Sequence, residues 1–231
     1  MAPEAHKPGL PTLHHMNHAQ SQRVLWLLEE MGIEYNLVLH RRNEQTQRAP
    51  PELKAIHPLG KAPVLVTKDG MAIAETGAIM TYLLRTYDTE GQFASKDWLL
   101  DAQVVSFAGT SLGPSTIVIL LFEMIVKLSP WPFSFITKAL KAQVSKGFTD
   151  PEIQSGLAYI QSMLGDKTWF NGETLGYTDF IVSWPLDVIA QRNYADLAEY
   201  PKLRAWRGRV LERAAWKAAL EKGNGYDLTI W

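Results

Sequence analysis

Three short segments hold the residues best suited to chemistry. The first is the pair Glu75-Thr76, at the mouth of a helix. A helix N-terminus offers unpaired backbone N–H groups and a favourable dipole, so it suits a carboxylate, and Glu75 beside it suits an amine. The second is Ala62-Pro63-Val64, where a strand opens on a proline directly after the Gly60 turn. Proline removes one N–H, and the tight turn suits a cis Ala62–Pro63 bond. That geometry would turn the N–H and C=O of Val64 outward, where an extended ligand could pair as an added strand. The third is the turn Asn17-His18-Ala19-Gln20-Ser21, whose amide, imidazole and hydroxyl could meet a reacting atom. Together they describe capture of a small peptide with a backbone-like centre and an amino-acid end.

The chain contains no cysteine. Disulfides, thiolate metal sites and a cysteine nucleophile are therefore excluded, and any thiol chemistry must use a thiol carried by the ligand. His14, His15 and His18 are close in sequence, but neighbours on a strand point to opposite faces, so no metal is expected. Net charge is −1 with 20% charged residues, which gives no basic field for nucleic acid. The most apolar run, Ile117 to Phe122, lies in a longer stretch to Val126 that Glu123 and Lys127 interrupt, and it falls short of the roughly 20 residues a membrane span needs. It reads as a buried helix, with peripheral membrane contact as the alternative. The polar N-terminal residues up to Pro11 lack the apolar centre of a signal peptide.

These segments need elements to position them. Thr12 to Met16 reads as a strand, Arg23 to Met31 as a helix closed by Gly32, and Tyr35 to Leu39 as a second strand. Pro51 starts a short helix, and Pro63–Val66 and Met71–Ile73 form a hairpin around Asp69-Gly70. Helix resumes from Gly77 to Tyr87. The first two strands should be parallel and the last two antiparallel. Thr89 to Lys96 reads as a linker, and only helical signals follow. These are Trp98 to Lys127 with bends at Gly109, Gly113 and Pro114, Phe133 to Lys146, Pro151 to Leu164, Thr178 to Ile189, which is apolar nearly all round, and Pro201 to Leu220. The fold class is therefore an α/β domain, residues 10–88, followed by an all-α domain, residues 97–231.

Three blocks in order, Ser21 to Tyr35, Arg48 to Leu65 and Ala74 to Leu83, resemble the cytosolic glutathione transferases, and most of all the fungal Gtt-type and its bacterial relatives. The likeness continues through Trp169 to Phe180 and Tyr200 to Trp206. It implies a thioredoxin-like N-terminal domain and an all-helical C-terminal domain. It also implies a cytoplasmic homodimer with a detoxification role and no metal. Such an enzyme conjugates glutathione, as co-substrate, to apolar electrophiles. By the same resemblance Val64, after Pro63, pairs with the cysteinyl backbone, and Glu75 and Thr76 hold the γ-glutamyl end. Lys61, with one of His40, Arg41, Arg42 or Lys54, meets the glycyl carboxylate. Asp179 belongs to a Ser/Thr-x-x-Asp capping box, although the N-cap here is Gly176, at a cost of a few tenths of a kcal/mol.

A transferase must ionise a thiol whose ordinary pKa is about 8.5. Spacing from Arg23-Val24 puts the usual activating position on His18. The relatives' serine one residue later is Ala19 here. The remaining side-chain donors are Asn17, His18 and Ser21, in that order, and Ser21 also suits the N-cap of the first helix. Two other readings stay open. One is a glutathione-dependent peroxidase or biosynthetic isomerase or dehydratase. The other is a non-catalytic carrier or regulator of the same fold.

Overall fold

The computed structural model describes residues 6–95 and 97–230. Lys96, the last residue of the expected linker, and Trp231, the last of the expected helical domain, lie outside them. The chain divides into two compact units. One comprises the described residues up to Ala94 together with Gly208–Ile230, and the other comprises Ser95–Arg207.

The first unit is built on a four-stranded mixed sheet. Its strands are β1 (Thr12–Met16), β2 (Asn36–His40), β3 (Val64–Val66) and β4 (Ala72–Ala74), in the order β2-β1-β3-β4. β1 and β2 are parallel, as a helical crossover requires, and the other pairs are antiparallel. The crossover is α1 (Ser21–Met31), closed by Gly32 at φ 62. A short α2 (Leu53–Ile56) precedes β3, and α3 (Thr76–Tyr87) follows β4. Every residue of α1 from Ser21 to Leu28 is buried. The cause is that α1 packs against β1, α3 and a helix from the far end of the chain, α10 (Ala214–Lys222).

That last contact corrects the expectation of one helix from Pro201 to Leu220. Helix α9 (Pro201–Glu212) ends at Arg213, whose backbone is extended (φ −65, ψ 134), and α10 starts afresh. The break lets the Arg213 guanidinium reach Glu30 of α1 (Nη2 to Oε2, 2.6 Å). It also sets Trp216 edge-on against Trp26 at 5.3 Å between centroids. Gly208–Ile230 therefore belongs to the α/β unit.

The second unit is all-helical. Helices α4 (Trp98–Phe107) and α5 (Gly113–Leu128) are joined by a π-helical turn at Ala108–Leu112, where bends were expected. Helices α6 (Ser134–Val144) and α7 (Asp150–Leu164) are joined in the same way at Ser145–Thr149. Gly156 of α7 lies against Phe107 and Leu112; a Cβ there would fall 3.0 Å from Leu112 Cδ1. Helix α8 (Tyr177–Gln191) is buried from Thr178 to Ile189 apart from Trp184, as its all-round apolar character predicts.

Asp179 is the polar centre of this unit and is fully buried. Its carboxylate accepts from Gly176 N–H (2.8 Å), Phe170 N–H (3.1 Å) and Trp206 Nε1–H (2.7 Å). Burial pushes its carboxyl up to about 6, and the three donors hold the ionised form at neutral pH. Only half a capping box exists, because Gly176 has no side chain to return the bond. The reason lies next door: a Cβ on residue 176 would stand 2.5 Å from Asn171 Cβ. Gly176→Ser, which supplies the missing cap, is therefore expected to lower stability by roughly 1–3 kcal/mol, the cost of overpacking. Thermal denaturation checks this, and a raised Tm would overturn it.

Candidate functional site

Strand register gathers the chemistry-bearing segments at one edge of the sheet. Met16 lies opposite His40, His14 opposite Val64, and Val64 opposite Ala74. The segments just past those pairs are therefore neighbours: Asn17-His18 after β1, Arg41-Arg42 after β2, Ala62-Pro63 before β3 and Glu75-Thr76 after β4. The Ala62–Pro63 bond is cis.

The backbone position open to a ligand differs from the expected one. Asn17 N–H donates to His40 C=O at 3.2 Å, so odd-numbered residues here face β2. By strand alternation the backbone groups of His14 and Met16 then face β3. His14 sits opposite Val64, so the Val64 N–H and C=O are spent inside the sheet. Extending the register puts Ala62 opposite Met16, yet both Met16 groups are taken by Ser21. Met16 N–H donates to Ser21 Oγ (3.1 Å), and the hydroxyl donates to Met16 C=O (3.0 Å). Among the described residues the backbone of Ala62 takes no hydrogen bond. Ala62, not Val64, carries the open main-chain pair.

Ser21 is thereby excluded as an outward donor. It is fully buried and closes the end of the β1 ladder. It is not the helix N-cap either; Gln20 holds that position. Ala19 is 3% exposed and packs with Met16, Leu53 and Ala62. Its side chain points into the core, so a hydroxyl at that position would not face a ligand in this arrangement.

Asn17 and His18 remain. Asn17 Oδ1 accepts from Arg42 N–H at 2.8 Å, which fixes the amide orientation, because the NH2 group cannot accept. Its Nδ2 makes no hydrogen bond among the described residues and is left as a donor. His18 holds a left-handed backbone, φ 50. Its N–H donates to Gly225 C=O (2.9 Å), and its Nδ1 accepts from Asp227 N–H (2.9 Å). An accepting Nδ1 places the proton of the neutral ring on Nε2. Burial, opposed by Asp227 and aided by Arg42, lowers its pKa, so it is neutral at pH 7. Nothing in the local sequence pattern pointed to the tail residues Asn224–Asp227 as part of this turn.

Arg42 braces the same turn. Its guanidinium donates to Gln47 C=O (2.9 Å) and His18 C=O (3.4 Å), and burial lowers its pKa. His40 is not available as a cation. Its Nε2 lies 3.0 Å from His14 Nδ1, and burial lowers the pKa of both rings, to about 4 for His14. Arg41, Lys54 and Lys61 are exposed cations near this edge. The Lys54 stem lies over Gly60, where a Cβ would meet Lys54 Cγ at 2.6 Å.

At the opposite corner, Glu75 caps α3 with φ 70 and ψ 120. A left-handed backbone at a non-glycine residue costs of order 1–3 kcal/mol and gathers at ligand clamps. Thr76 is buried, and its Oγ1 has no hydrogen-bond partner among the described residues. A buried, unpaired hydroxyl at a helix N-terminus matches an anionic oxygen. No cluster of three or more His, Asp or Glu side chains suited to a metal occurs among the described residues. A cavity of about 250 Å³ lies in the helical unit, lined by residues that include Asp97, Asp101, Lys167 and Thr178. It contains none of the residues of the sheet edge.

Comparison with known proteins bears on this arrangement. Residues 19–86 match the glutathione S-transferase N-terminal domain model, and residues 124–223 match the C-terminal domain model. Glutathione S-transferase 1 of Saccharomyces cerevisiae is 27% identical over 221 residues, 91% of this chain and 94% of the relative. Hematopoietic prostaglandin D synthase of Gallus gallus is 32% identical over 182 residues, 74% of this chain and 77% of the relative. A crystal structure of a glutathione S-transferase from Actinobacillus pleuropneumoniae has a TM-score of 0.77 and 32% identity, covering 96% of this chain and 97% of that one.

Proposed function

The chain belongs to the glutathione S-transferase family, and from that premise we propose that it joins the sulfur of glutathione to electrophilic, mostly apolar small molecules. The observation that carries this reading is the convergence of the Ala62 backbone, the α3 N-terminus and the Asn17 amide at one sheet edge. The γ-glutamyl carboxylate would sit at the α3 N-terminus against Thr76 Oγ1, with its amine on Glu75. The cysteinyl backbone would pair with Ala62. Lys54, Lys61 or Arg41 would meet the glycyl carboxylate. The sulfur would then lie by Asn17 Nδ2 and His18 Nε2–H.

Both groups donate without carrying charge, so they stabilise a thiolate more than a thiol. The thiolate attacks the electrophilic carbon. In substitution the leaving group departs with the bonding pair, and in conjugate addition the adjacent carbon takes a proton. Holding both reactants supplies much of the rate. The glutathione-binding region is residues 10–88, in one unit with Gly208–Ile230, and the acceptor is taken by residues of the expected 97–231 helical domain that lie before Gly208.

The finer assignment we favour is the fungal Gtt-type, supported by the yeast relatives. With it come a homodimer, a cytoplasmic location and a detoxification role. The test is retention on immobilised glutathione followed by turnover of a chromogenic electrophile. Both are expected in the native chain, and Thr76→Val should elute early. Retention without turnover would turn the reading to a carrier.

A further inference from the structure

The pair of helices α5 and α6 carries an exposed apolar face that the proposed transfer chemistry does not use. Leu128 at the end of α5 and Trp131 and Phe133 in the connection are 76%, 81% and 60% exposed, and Phe135, Ile136 and Leu140 of α6 are 65%, 67% and 47% exposed. No residue of α6 is buried. Single exposed apolar residues are ordinary on a protein surface, but six large ones between Leu128 and Leu140 point to an interaction site.

The charge on this segment is one-sided. From Met124 to Thr149 the sequence holds Lys127, Lys138, Lys141 and Lys146 and no Asp or Glu. Glu123, just before it, is already bonded to Lys141 (3.2 Å) and Arg192 (2.7 Å). Lys127, Lys138 and Lys146 are exposed. Aromatic side chains set among lysines, with no acid between them, suit the headgroup layer of an anionic bilayer.

We propose that the α5–α6 hairpin docks on an anionic lipid surface, seating Trp131, Phe133 and Phe135 at headgroup depth with the lysines around them. A second copy of the chain is the poorer fit. A two-fold contact through this face would set the same lysines against each other with no acid to answer them. A full span is also a poor fit. The stretch Trp98–Leu128 is long and apolar enough to cross a membrane, but its inner face is committed to the core through Val104, Leu112, Thr116 and Ile119. The helix pair therefore lies on the membrane rather than through it.

The test is co-sedimentation of the full chain with vesicles of phosphatidylcholine alone and of phosphatidylcholine with phosphatidylserine. Binding is expected to the second only and to weaken with salt. Lys127→Gln and Lys138→Gln should each weaken it about fivefold. Joint replacement of Trp131, Phe133 and Phe135 by serine should abolish it while leaving thermal melting and glutathione retention unchanged, since all three are exposed. Failure to bind either vesicle, or equal binding to both, overturns the proposal. So does a native dimer that the serine variant converts to monomer, which would assign the face to a second copy.

Discussion

Asp179→Ala is expected to lower unfolding stability by about 3–5 kcal/mol, because a buried carboxylate that serves several neutral donors is removed and the donors are left unpaired. Three N–H groups would lose their acceptor at once: Gly176 and Phe170 on the backbone and Trp206 Nε1. Each buried donor left unpaired costs roughly 1–3 kcal/mol. Against a total stability of about 5–15 kcal/mol, that is enough to depopulate the fold at moderate temperature. The bonds tie the start of α8 to the Trp169–Gly172 turn and to α9, so the loss falls on the helical unit. Asp179→Asn keeps one carbonyl oxygen for two of the donors and should cost less. Urea denaturation of both variants measures the difference. If Asp179→Ala shifts stability by under about 1 kcal/mol, the carboxylate is not the hub its bonds describe.

Asn17→Ala is expected to raise the pKa of enzyme-bound glutathione thiol by about one to two units, the shift a well-placed donor provides. At a pH below that pKa, kcat/KM falls with the thiolate fraction, by about 10–100-fold. The sign is definite. The bound thiolate loses a stabilising donor, so the acid limb of the pH–rate profile moves to higher pH, and activity recovers as pH rises through it. Binding should change little, because the proposed contacts at Ala62, Glu75 and Thr76 are untouched. The Arg42 N–H would lose its acceptor, so Asn17→Asp serves as a second variant: it keeps that acceptor but offers no donor. Absorbance of bound thiolate and the pH–rate profile are the readouts. A limb that stays in place in both variants, yet moves in His18→Gln, would transfer the role to the imidazole.

Much of the fold was legible because its signals are local. The helical spacing of Val24, Leu27, Leu28 and Met31, the turn at Asp69-Gly70 and the proline at 63 each act over a few residues. Their order is enough to define a parallel pair followed by a hairpin. The same local logic placed Glu75 and Thr76 at the start of α3. The break at Arg213 was not legible, because no proline or glycine marks it and the Glu30 carboxylate that Arg213 meets there lies far back in the chain.

The sequence by itself determined the two-part architecture, the cis-compatible proline turn, the helix-start pair Glu75-Thr76 and the absence of a cysteine thiol. Tertiary structure alone decided which groups face outward. Val64 is spent on His14, which leaves Ala62 open. His40 is tied to His14, and Ser21 is folded back onto Met16. Ala19 is turned into the core, and Gly176 is required by the Asn171 side chain. His18 takes its tautomer from Asp227, 209 residues further along the chain. The physical reason is common to all of them. Periodicity and turn chemistry fix where an element begins and which face is apolar, but a polar group's direction depends on its hydrogen-bond partner, and these partners meet only through register and packing.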